Sequence, residues 1–362
     1  MKRVILYRSE LREYHFGENH IFQGNRFKLF LDFFRKKIPR DSFKILKAPP
    51  ATKEDLLLIC ERDYIEFNEK FYKVPFLEKE NPLFFHYHSR DNFPSPGSGE
   101  IEKAARIIVG QAKKAADLVF KENVKKVVSL GGGLHHSQRN FGEGFCIYND
   151  VAFLTLYLLK NFYLKKILIL DTDAHFGNGT YEYFKEDPRV LFIDIHQDPS
   201  TIYPGSGFLE QRGEGPGKGL KINIPLPRQA GDQCYSFVFK EVIFPVVEEF
   251  KPEIIIRNGG SDPHFKDLLT DLGMSVEGFF QLGTFTRELS FLCQEREIDL
   301  LASGYHLGVL PYCWTNLISG LWGLSFKLKI KEEKLKEPLS ETEKIIEKIK
   351  KVFRPYWKCF RK

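Results

Sequence analysis

Short apolar runs alternate along the chain with longer segments in which apolar residues recur at helical spacing. This alternation predicts repeated strand–helix–strand units, and hence an α/β fold with a central, mainly parallel β-sheet flanked by helices. A long helix is predicted over residues 100–121. The clearest strand-like runs lie at residues 1–7, 127–130, 167–171, 253–256 and 299–302.

Four of these runs end in residues that bind metal ions or act beside them. The densest end holds Asp171, Asp173 and His175, which are two residues apart and precede a glycine-rich loop. Side chains two residues apart in a strand project to the same face, and ligand sites in open α/β sheets lie at the carboxyl ends of the strands. The other three ends continue into residues 131–136, 257–262 and 303–305.

Two carboxylates and one imidazole at these ends form a donor set for a catalytic divalent ion. Three protein ligands leave one coordination position open for water, whose pKa the ion lowers toward neutrality. The candidate ligands are Asp173, His175 and Asp262. Zinc suits this set, and iron, cobalt or manganese are also compatible with it.

Hydrolysis of an amide at such an ion needs a general base, a general acid for the leaving amine and a donor to the oxyanion. The candidates are His135, His136 and Tyr305. Each residue alone has an ordinary interpretation, since an Asp often caps a helix and paired histidines often lie on a loop. Coincidence at four strand ends is harder to explain, so we favour one shared site.

Taken together, eight motifs resemble the histone deacetylase superfamily, which includes class I and II deacetylases, acetoin-utilisation-type proteins and acetylpolyamine amidohydrolases. The resemblance covers roughly residues 1–325 and implies the single-domain arginase/deacetylase fold. The motifs are GGGLHHS at 131–137, GFCIYND at 144–150, DTDAHFGNGT at 171–180, IHQDP at 195–199, YPGSG at 203–207, GEGPGKG at 213–219, NIPLP at 223–227 and CWT at 313–315.

This resemblance implies two metal sites. The implied zinc ligands are Asp173, His175 and Asp262. The implied surroundings of a structural potassium ion are the oxygens around Asp171, Asp173, His175 and Asp194.

The resemblance also implies a catalytic histidine pair and a tyrosine. His135 would be supported by Asp171, and His136 by Asn178. Because Asn178 is neutral, we expect His136 to have the lower proton affinity and to act as the base, with His135 as the electrostatic or acid partner. Tyr305 is the implied hydrogen-bond donor to the transition state.

Two aromatic residues match the walls of the family's acyl-lysine tunnel. Phe145, which follows Gly144, matches one wall and Tyr203 matches the opposite one. Facing aromatic rings would hold an aliphatic chain and exclude water.

The chain also departs from the family pattern. Phe176 stands where a His is usual, Asp194 stands where a Ser is usual, and the spacing after Asp262 differs. Ala302 and Ser303 replace glycines before Tyr305. Because neither has the freedom of glycine at positive φ, we expect them to stiffen or tilt the loop that carries Tyr305.

The predicted function is a metal-dependent amidohydrolase that removes acyl groups from acyl-lysine or a similar acylated amine. The substrate would be a protein or peptide, or a small molecule such as an acetylpolyamine. A catalytically weak or inactive acyl-lysine-binding module is an alternative, because of the altered Tyr305 loop. A ureohydrolase with two manganese ions is disfavoured, because Gly177 occupies the position of a further carboxylate.

Composition favours one large domain. The 362 residues are 43% hydrophobic and 28% charged, without a Pro/Ser-rich linker. We predict a catalytic domain over residues 1–330 and a helical extension over residues 331–362 packed on it. The extension should contain an amphipathic helix capped at Ser340, and the residues on its apolar face should be Ile345, Ile346, Ile349 and Phe353.

Neither a signal peptide nor an apolar run of membrane-spanning length is evident, so we expect a cytoplasmic protein without a membrane partner. The six cysteines are scattered without a C-x-x-C pair, which disfavours a zinc knuckle or a redox motif. Basic residues outnumber acidic ones by only 54 to 48, and no specific nucleic-acid partner is expected. The oligomeric state is left open.

Overall fold

The structure is a computed structural model, and it describes residues 3–73, 82–333 and 335–361. Of the predicted elements, the first strand includes Met1 and Lys2, and the C-terminal extension includes Lys334 and Lys362, which lie outside the described residues. The strands are Arg3–Leu6 (β1), Lys44–Leu46 (β2), Lys126–Leu130 (β3), Ile167–Asp171 (β4), Val190–Gln197 (β5), Lys221–Leu226 (β6), Ile254–Asn258 (β7) and Glu297–Leu301 (β8).

These strands form one parallel sheet in the order β2-β1-β3-β8-β7-β4-β5-β6. Strands β3, β4, β5, β7 and β8 are buried along their whole length. Parallel strands covered on both faces read as nearly continuous apolar runs, which is the pattern in the sequence. The predicted α/β architecture is confirmed.

Helices cover the sheet, and the helix predicted over residues 100–121 is present as Ile101–Phe120. The α-helices in the described part of the chain are Arg26–Lys37 (α1), Lys53–Leu56 (α2), Arg62–Phe71 (α3), Phe84–Tyr87 (α4), Ile101–Phe120 (α5), Asp150–Asn161 (α6), Asn178–Phe184 (α7), Asp232–Val238 (α8), Phe244–Phe250 (α9), Val276–Ser290 (α10), Leu310–Trp322 (α11) and Leu339–Phe353 (α12). A π-helical segment, Phe239–Ile243, joins α8 to α9. None of the helices in the described ranges is long and apolar enough to cross a membrane.

The four strands whose ends carry the candidate residues are the adjacent central strands β3, β8, β7 and β4. Their registers align Leu130 with Leu301 and Asp171 with Asn258 at the carboxyl ends. Because the strands are parallel, all four loops that follow them leave the sheet at the same edge.

Helix α12 packs with Ile346, Ile349 and Phe353 buried, while Ile345 is only partly buried. The predicted cap at Ser340 is wrong. The helix begins at Leu339, so its N-cap is Pro338, two residues before Ser340, and its amino end has no side-chain cap. The carbonyl oxygen of Pro338 accepts the first helical hydrogen bond, from the amide of Thr342 at 3.1 Å, so the helix starts directly after the proline.

Candidate active site

The loop after β4 brings Asp173 and His175 against Asp262 from the loop after β7. The Nδ1 atom of His175 lies 3.0 Å from Asp173 Oδ1 and 3.2 Å from Asp262 Oδ2. One potential ligand atom from each of the three residues lies within 4.8 Å of the other two, and all three side chains are buried. Two buried carboxylates that converge on one imidazole fit a divalent cation, so the donor set matches the predicted ligands.

Backbone hydrogen bonds hold this ligand loop in place. The amide of Asp173 donates to Asp171 Oδ1 (3.1 Å), that of His175 to Asp173 Oδ1 (2.9 Å), and that of Ala174 to Asp262 Oδ2 (3.0 Å). The carboxylates therefore order the turn as well as presenting oxygens to its centre. Asp171 itself does not join the three-residue cluster.

The pKa values of Asp262 and His175 are both raised, which shows that a positive charge is favoured within the cluster. Burial and the negative charge of Asp173 raise the pKa of Asp262 to about 8. Burial disfavours protonated His175, but its hydrogen bonds to Asp173 and Asp262 outweigh burial and raise its pKa to about 10. A divalent ion would satisfy the same requirement.

His135 and His136 follow β3 and face each other beside this cluster. Their Nε2 atoms are 3.1 Å apart. His135 Nδ1 lies 2.9 Å from Asp171 Oδ2, and His136 Nδ1 lies 2.7 Å from Asn178 Oδ1. The structure thus forms both pairs that the sequence predicted, one with a charged and one with a neutral partner.

The two imidazoles differ in proton affinity in the predicted direction. Burial lowers the pKa of His135, but the negative charges of Asp171 and Asp173 outweigh burial and raise it to about 9. Burial and the neighbouring positive charges of His135 and His175 hold the pKa of His136 well below its usual value. His135 therefore has the higher proton affinity of the pair and His136 the lower.

Gly177 has a steric reason to lack a side chain. A Cβ atom at this position would lie 2.9 Å from Asp171 Oδ2 and 3.0 Å from His135 Nδ1. A carboxylate there would therefore displace the Asp171–His135 pair, so a second metal ligand at this position is incompatible with the histidine pair.

Comparison with known proteins identifies the family. A family model described as a histone deacetylase domain matches residues 20–321. The chain belongs to the histone deacetylase family. Its sequence is 32% identical over 332 residues to the acetoin utilization protein AcuC of Staphylococcus aureus (strain MSSA476), covering 88% of this chain and 82% of that protein.

A probable deacetylase of Archaeoglobus fulgidus is 32% identical over 372 residues, covering 99% of both proteins. The crystal structure of the HDA15 HD domain matches with a TM-score of 0.84 at 21% identity, covering 99% of this chain and 97% of that one. This last similarity shows the fold, which is that of histone deacetylase domains. Membership of the histone deacetylase family supports an amidohydrolase of the deacetylase type.

Tyr305, which follows β8, is buried beside the same cluster. Its ring centre lies 6.3 Å from that of Phe22 and 6.1 Å from that of Phe145. Its hydroxyl has no hydrogen-bond partner among the residues that the structure describes. Burial, followed by the charge of Asp173, raises the pKa of Tyr305 well above its usual value, so the phenol keeps its proton.

The loop before Tyr305 differs from what the sequence led us to expect. Ala302 and Ser303 do not have positive φ angles, and Gly304 is the residue with φ of 121°. Their substitution for glycine therefore introduces no backbone strain in this conformation. Instead, the Ser303 hydroxyl donates to Asp262 Oδ1 at 2.6 Å and fixes the orientation of a candidate ligand.

Arg26 on α1 is a supporting residue that the sequence did not reveal. Its Nη1 donates to the carbonyl oxygens of Ala302 (3.3 Å) and Gly304 (2.5 Å), and its guanidinium carbon lies 5.2 Å from the Tyr305 ring centre. The residue is fully buried. No local signal distinguishes it from the other basic residues of α1, because its role depends on contacts some 276 positions away in sequence.

The two aromatic residues predicted as tunnel walls, Phe145 and Tyr203, differ in their position relative to the cavity. Phe145 lines a cavity of about 20 Å³ beside the cluster, whereas Tyr203 is 41% exposed, with its ring 5.1 Å from that of His136. Phe22, missed in the sequence, also lines the cavity. Gly144 must lack a side chain, because a Cβ atom there would lie 2.2 Å from the His136 ring. The remaining lining includes Leu134, His135, His136, Asp173, His175 and Tyr305.

The two substituted family positions are integrated into the interior. Phe176 is buried, with its ring centre 5.3 Å from that of His196. The Asp194 carboxylate accepts hydrogen bonds from His196 Nδ1 (2.8 Å) and from the amide of Gly177 (2.9 Å). Asp194 thereby helps hold the turn between the ligand loop and α7.

Proposed function

We propose that the protein is a zinc-dependent deacylase that hydrolyses the amide of an acyl-lysine or a similar acylated amine. The observation that carries this proposal is the convergence of the three-residue cluster, the histidine pair and Tyr305 on one small cavity. Asp173, His175 and Asp262 would hold the ion. When bound, the ion would supply Lewis acidity to the substrate carbonyl and lower the pKa of a water molecule.

His136 is suited to take the proton from the attacking water. Its pKa is held well below the usual value, and its Nδ1 contacts Asn178, which leaves Nε2, 3.1 Å from His135 Nε2, as the nitrogen that can take a proton. His135 remains cationic through Asp171, so it can stabilise negative charge and donate a proton to the leaving amine.

Tyr305 is suited to stabilise the oxyanion. Its protonated hydroxyl is free of other partners within the described ranges, and Arg26 holds the carbonyl groups of the preceding loop. A donor placed in a buried cavity before the reaction begins stabilises charge that develops in the transition state.

The cavity size favours a short acyl group. A volume of about 20 Å³ corresponds to roughly one or two water-sized positions. Phe22 and Phe145 are among the residues that line it. We therefore propose acetyl as the preferred group.

A structural potassium ion remains a prediction. The proposed residues are Asp171, Asp173, His175 and Asp194. The buried negative charges of Asp171 and Asp194 favour a cation nearby, as the pKa of Asp194, raised to about 6 by burial and then by Asp171, indicates. Thermal unfolding in potassium compared with tetramethylammonium salts would test it.

The decisive experiment is hydrolysis of a panel of acyl-lysine peptides and acetylated polyamines by protein loaded with zinc, iron, cobalt or manganese. Acetylated substrates should be cleaved faster than butyrylated ones. A hydroxamate should inhibit, whereas a boronate analogue of arginine should not, because Gly177 excludes a second metal carboxylate. Tight binding of acyl-lysine peptide without hydrolysis under any metal would support the binding-module alternative instead.

A further inference from the structure

The partner of His136 is an amide, and an amide can face a histidine in two ways. Asn178 can present its oxygen, which accepts from a protonated Nδ1, or its NH2 group, which donates to an unprotonated Nδ1. These two arrangements leave opposite tautomers of neutral His136. A base that faces the cavity through Nε2 requires the first one.

Nε2 of His136 lies 3.1 Å from Nε2 of His135, and at the other side of the ring Glu143 decides the orientation of the Asn178 amide. Glu143 Oε1 lies 2.9 Å from Asn178 Nδ2, and Glu143 Oε2 accepts the Tyr203 hydroxyl at 2.8 Å. Gln138 Nε2 also donates to Oε1, at 2.9 Å. An ionised carboxylate only accepts hydrogen bonds, so Asn178 must direct its NH2 group to Glu143 and its oxygen to His136 Nδ1, 2.7 Å away.

The backbone places Glu143 for this contact. The next two residues, Gly144 and Phe145, both have left-handed conformations, with φ of 59° and 63°. This conformation is uncommon for a bulky residue such as phenylalanine, and it turns the chain sharply between Glu143 and the cavity lining. The turn thereby sets Glu143 beside Asn178 while Phe145 enters the cavity.

We propose that Glu143 is a positioning residue that fixes the tautomer of His136 through the Asn178 amide, and that it ties the exposed Tyr203 to the same network. This inference rests on the proposed function. Each histidine would thus have a carboxylate behind it. Asp171 contacts His135 directly, whereas Glu143 acts on His136 through the side-chain amide of Asn178. The indirect arrangement orients His136 without raising its proton affinity as an adjacent carboxylate would.

A mutant cycle at Glu143 and Asn178 tests the inference in zinc-loaded protein. Glu143→Ala should lower kcat roughly tenfold and change KM less than about twofold. The loss in kcat is only part of the roughly 10²- to 10⁴-fold rate increase that a positioned base contributes. Adding Asn178→Asp should restore kcat to within about threefold of wild type, because a carboxylate at position 178 accepts from His136 Nδ1 without needing Glu143. Asn178→Asp alone should fall below the double variant, because two carboxylates would meet at the 2.9 Å contact.

Nitrogen-15 NMR of labelled histidine gives a readout that does not depend on turnover. Wild type should show His136 as the single Nδ1–H tautomer, Glu143→Ala a mixture, and the double variant the single tautomer again. Glu182→Ala is the matched control, because Glu182 lies on α7, the helix that carries Asn178, and pairs with Lys185 at the surface. It should change neither readout.

Two results would overturn the inference. One is a Glu143→Ala protein with wild-type kcat and an unchanged His136 tautomer. The other is a folded Glu143→Ala protein whose loss is not restored by Asn178→Asp, which would assign Glu143 a purely structural role. If wild type hydrolyses no substrate in the panel, the proposed function fails, and the NMR result alone decides the role of Glu143.

Discussion

At the residue scale, chemistry depends on a few side chains whose types and spacing were visible in the sequence. Asp173, His175 and Asp262 were predicted because their donor types are those of a catalytic ion, and the structure brings them together. Ser303 shows the limit of such reasoning. The sequence marked it as a lost glycine, whereas its contribution is a hydrogen bond to Asp262, 41 positions away.

The first residue-scale prediction concerns metal content. Asp173→Ala and Asp262→Ala should each abolish tight binding of about one divalent ion per chain, because two remaining ligands cannot complete the site. Elemental analysis after dialysis measures this. Asp271→Ala, which removes an exposed partner of Arg228, should keep the ion. Full occupancy in both ligand variants would refute the assignment.

The second concerns the oxyanion donor. Tyr305→Phe removes an interaction made mainly in the transition state, so kcat should fall by roughly 10²–10³ while KM and metal content change little. Steady-state kinetics with acetyl-lysine peptide measures it. Tyr312→Phe, on α11 and in ring contact with Phe33, is the matched control. A Tyr305→Phe enzyme with wild-type kcat would place the donor elsewhere.

The third residue-scale prediction concerns Ala302 and Ser303, which replace glycines in the loop before Tyr305. Because Ala302 and Ser303 adopt ordinary φ angles, replacing both with glycine should not raise kcat. It should instead weaken metal binding through loss of the hydrogen bond from Ser303 to Asp262, by up to roughly the 10- to 100-fold seen when residues behind a metal ligand are removed. Chelator competition measures this affinity. An increase in kcat would show that the loop is held away from the substrate in wild type.

At the element scale, the central strands β4, β7 and β8 are joined by a buried ion pair beneath the site. Arg257 makes two hydrogen bonds to Asp299, at 2.8 and 2.9 Å, and also donates to Thr172 and to the carbonyl of Gly259. The two charged residues are register partners within runs that are mostly apolar. Their opposite charges were therefore a signal in the sequence, but strand order was needed to recognise it.

The fourth prediction tests this ion pair. Arg257→Met alone should destabilise the fold by about 3–5 kcal/mol, because it leaves Asp299 buried and unpaired, and adding Asp299→Leu should recover most of that loss. The double variant should nevertheless bind metal roughly tenfold more weakly, because Thr172 and Gly259 lose their common donor. Denaturant unfolding and chelator competition measure the two effects.

A second buried pair provides the control for this prediction. Lys126 and Glu297 are register partners at the amino ends of β3 and β8, at the opposite edge of the sheet from the site. Lys126→Met with Glu297→Leu should leave metal affinity unchanged. Equal losses of affinity in both double variants would mean that Arg257 acts through general stability and not through the ligand loops.

At the scale of the whole molecule, alternation of apolar runs and helical segments was enough to predict the sheet, because a parallel sheet covered on both faces imposes it. Which loops meet was not predictable from the pattern alone, since that depends on the strand order. The C-terminal segment illustrates the same point. Glu337 accepts hydrogen bonds from the amides of Gly231, Gln233 and Cys234, and so caps α8 from a distant part of the chain.

The fifth prediction is that the end of the C-terminal segment, around Trp357, stabilises the domain without contributing to the metal site. Trp357 is buried, and its Nε1 donates to the carbonyl of Gly219 at 2.8 Å, just before edge strand β6. Trp357→Ala should therefore cost about 3–5 kcal/mol and lower the unfolding temperature, while metal affinity in the folded protein stays unchanged. Tyr163→Ala, at a site 76% exposed, should leave both properties unchanged. If the Trp357→Ala protein unfolds at the wild-type temperature, residues 331–362 do not support the sheet edge. If it loses metal while folded, the segment affects the site through contacts other than those with β6.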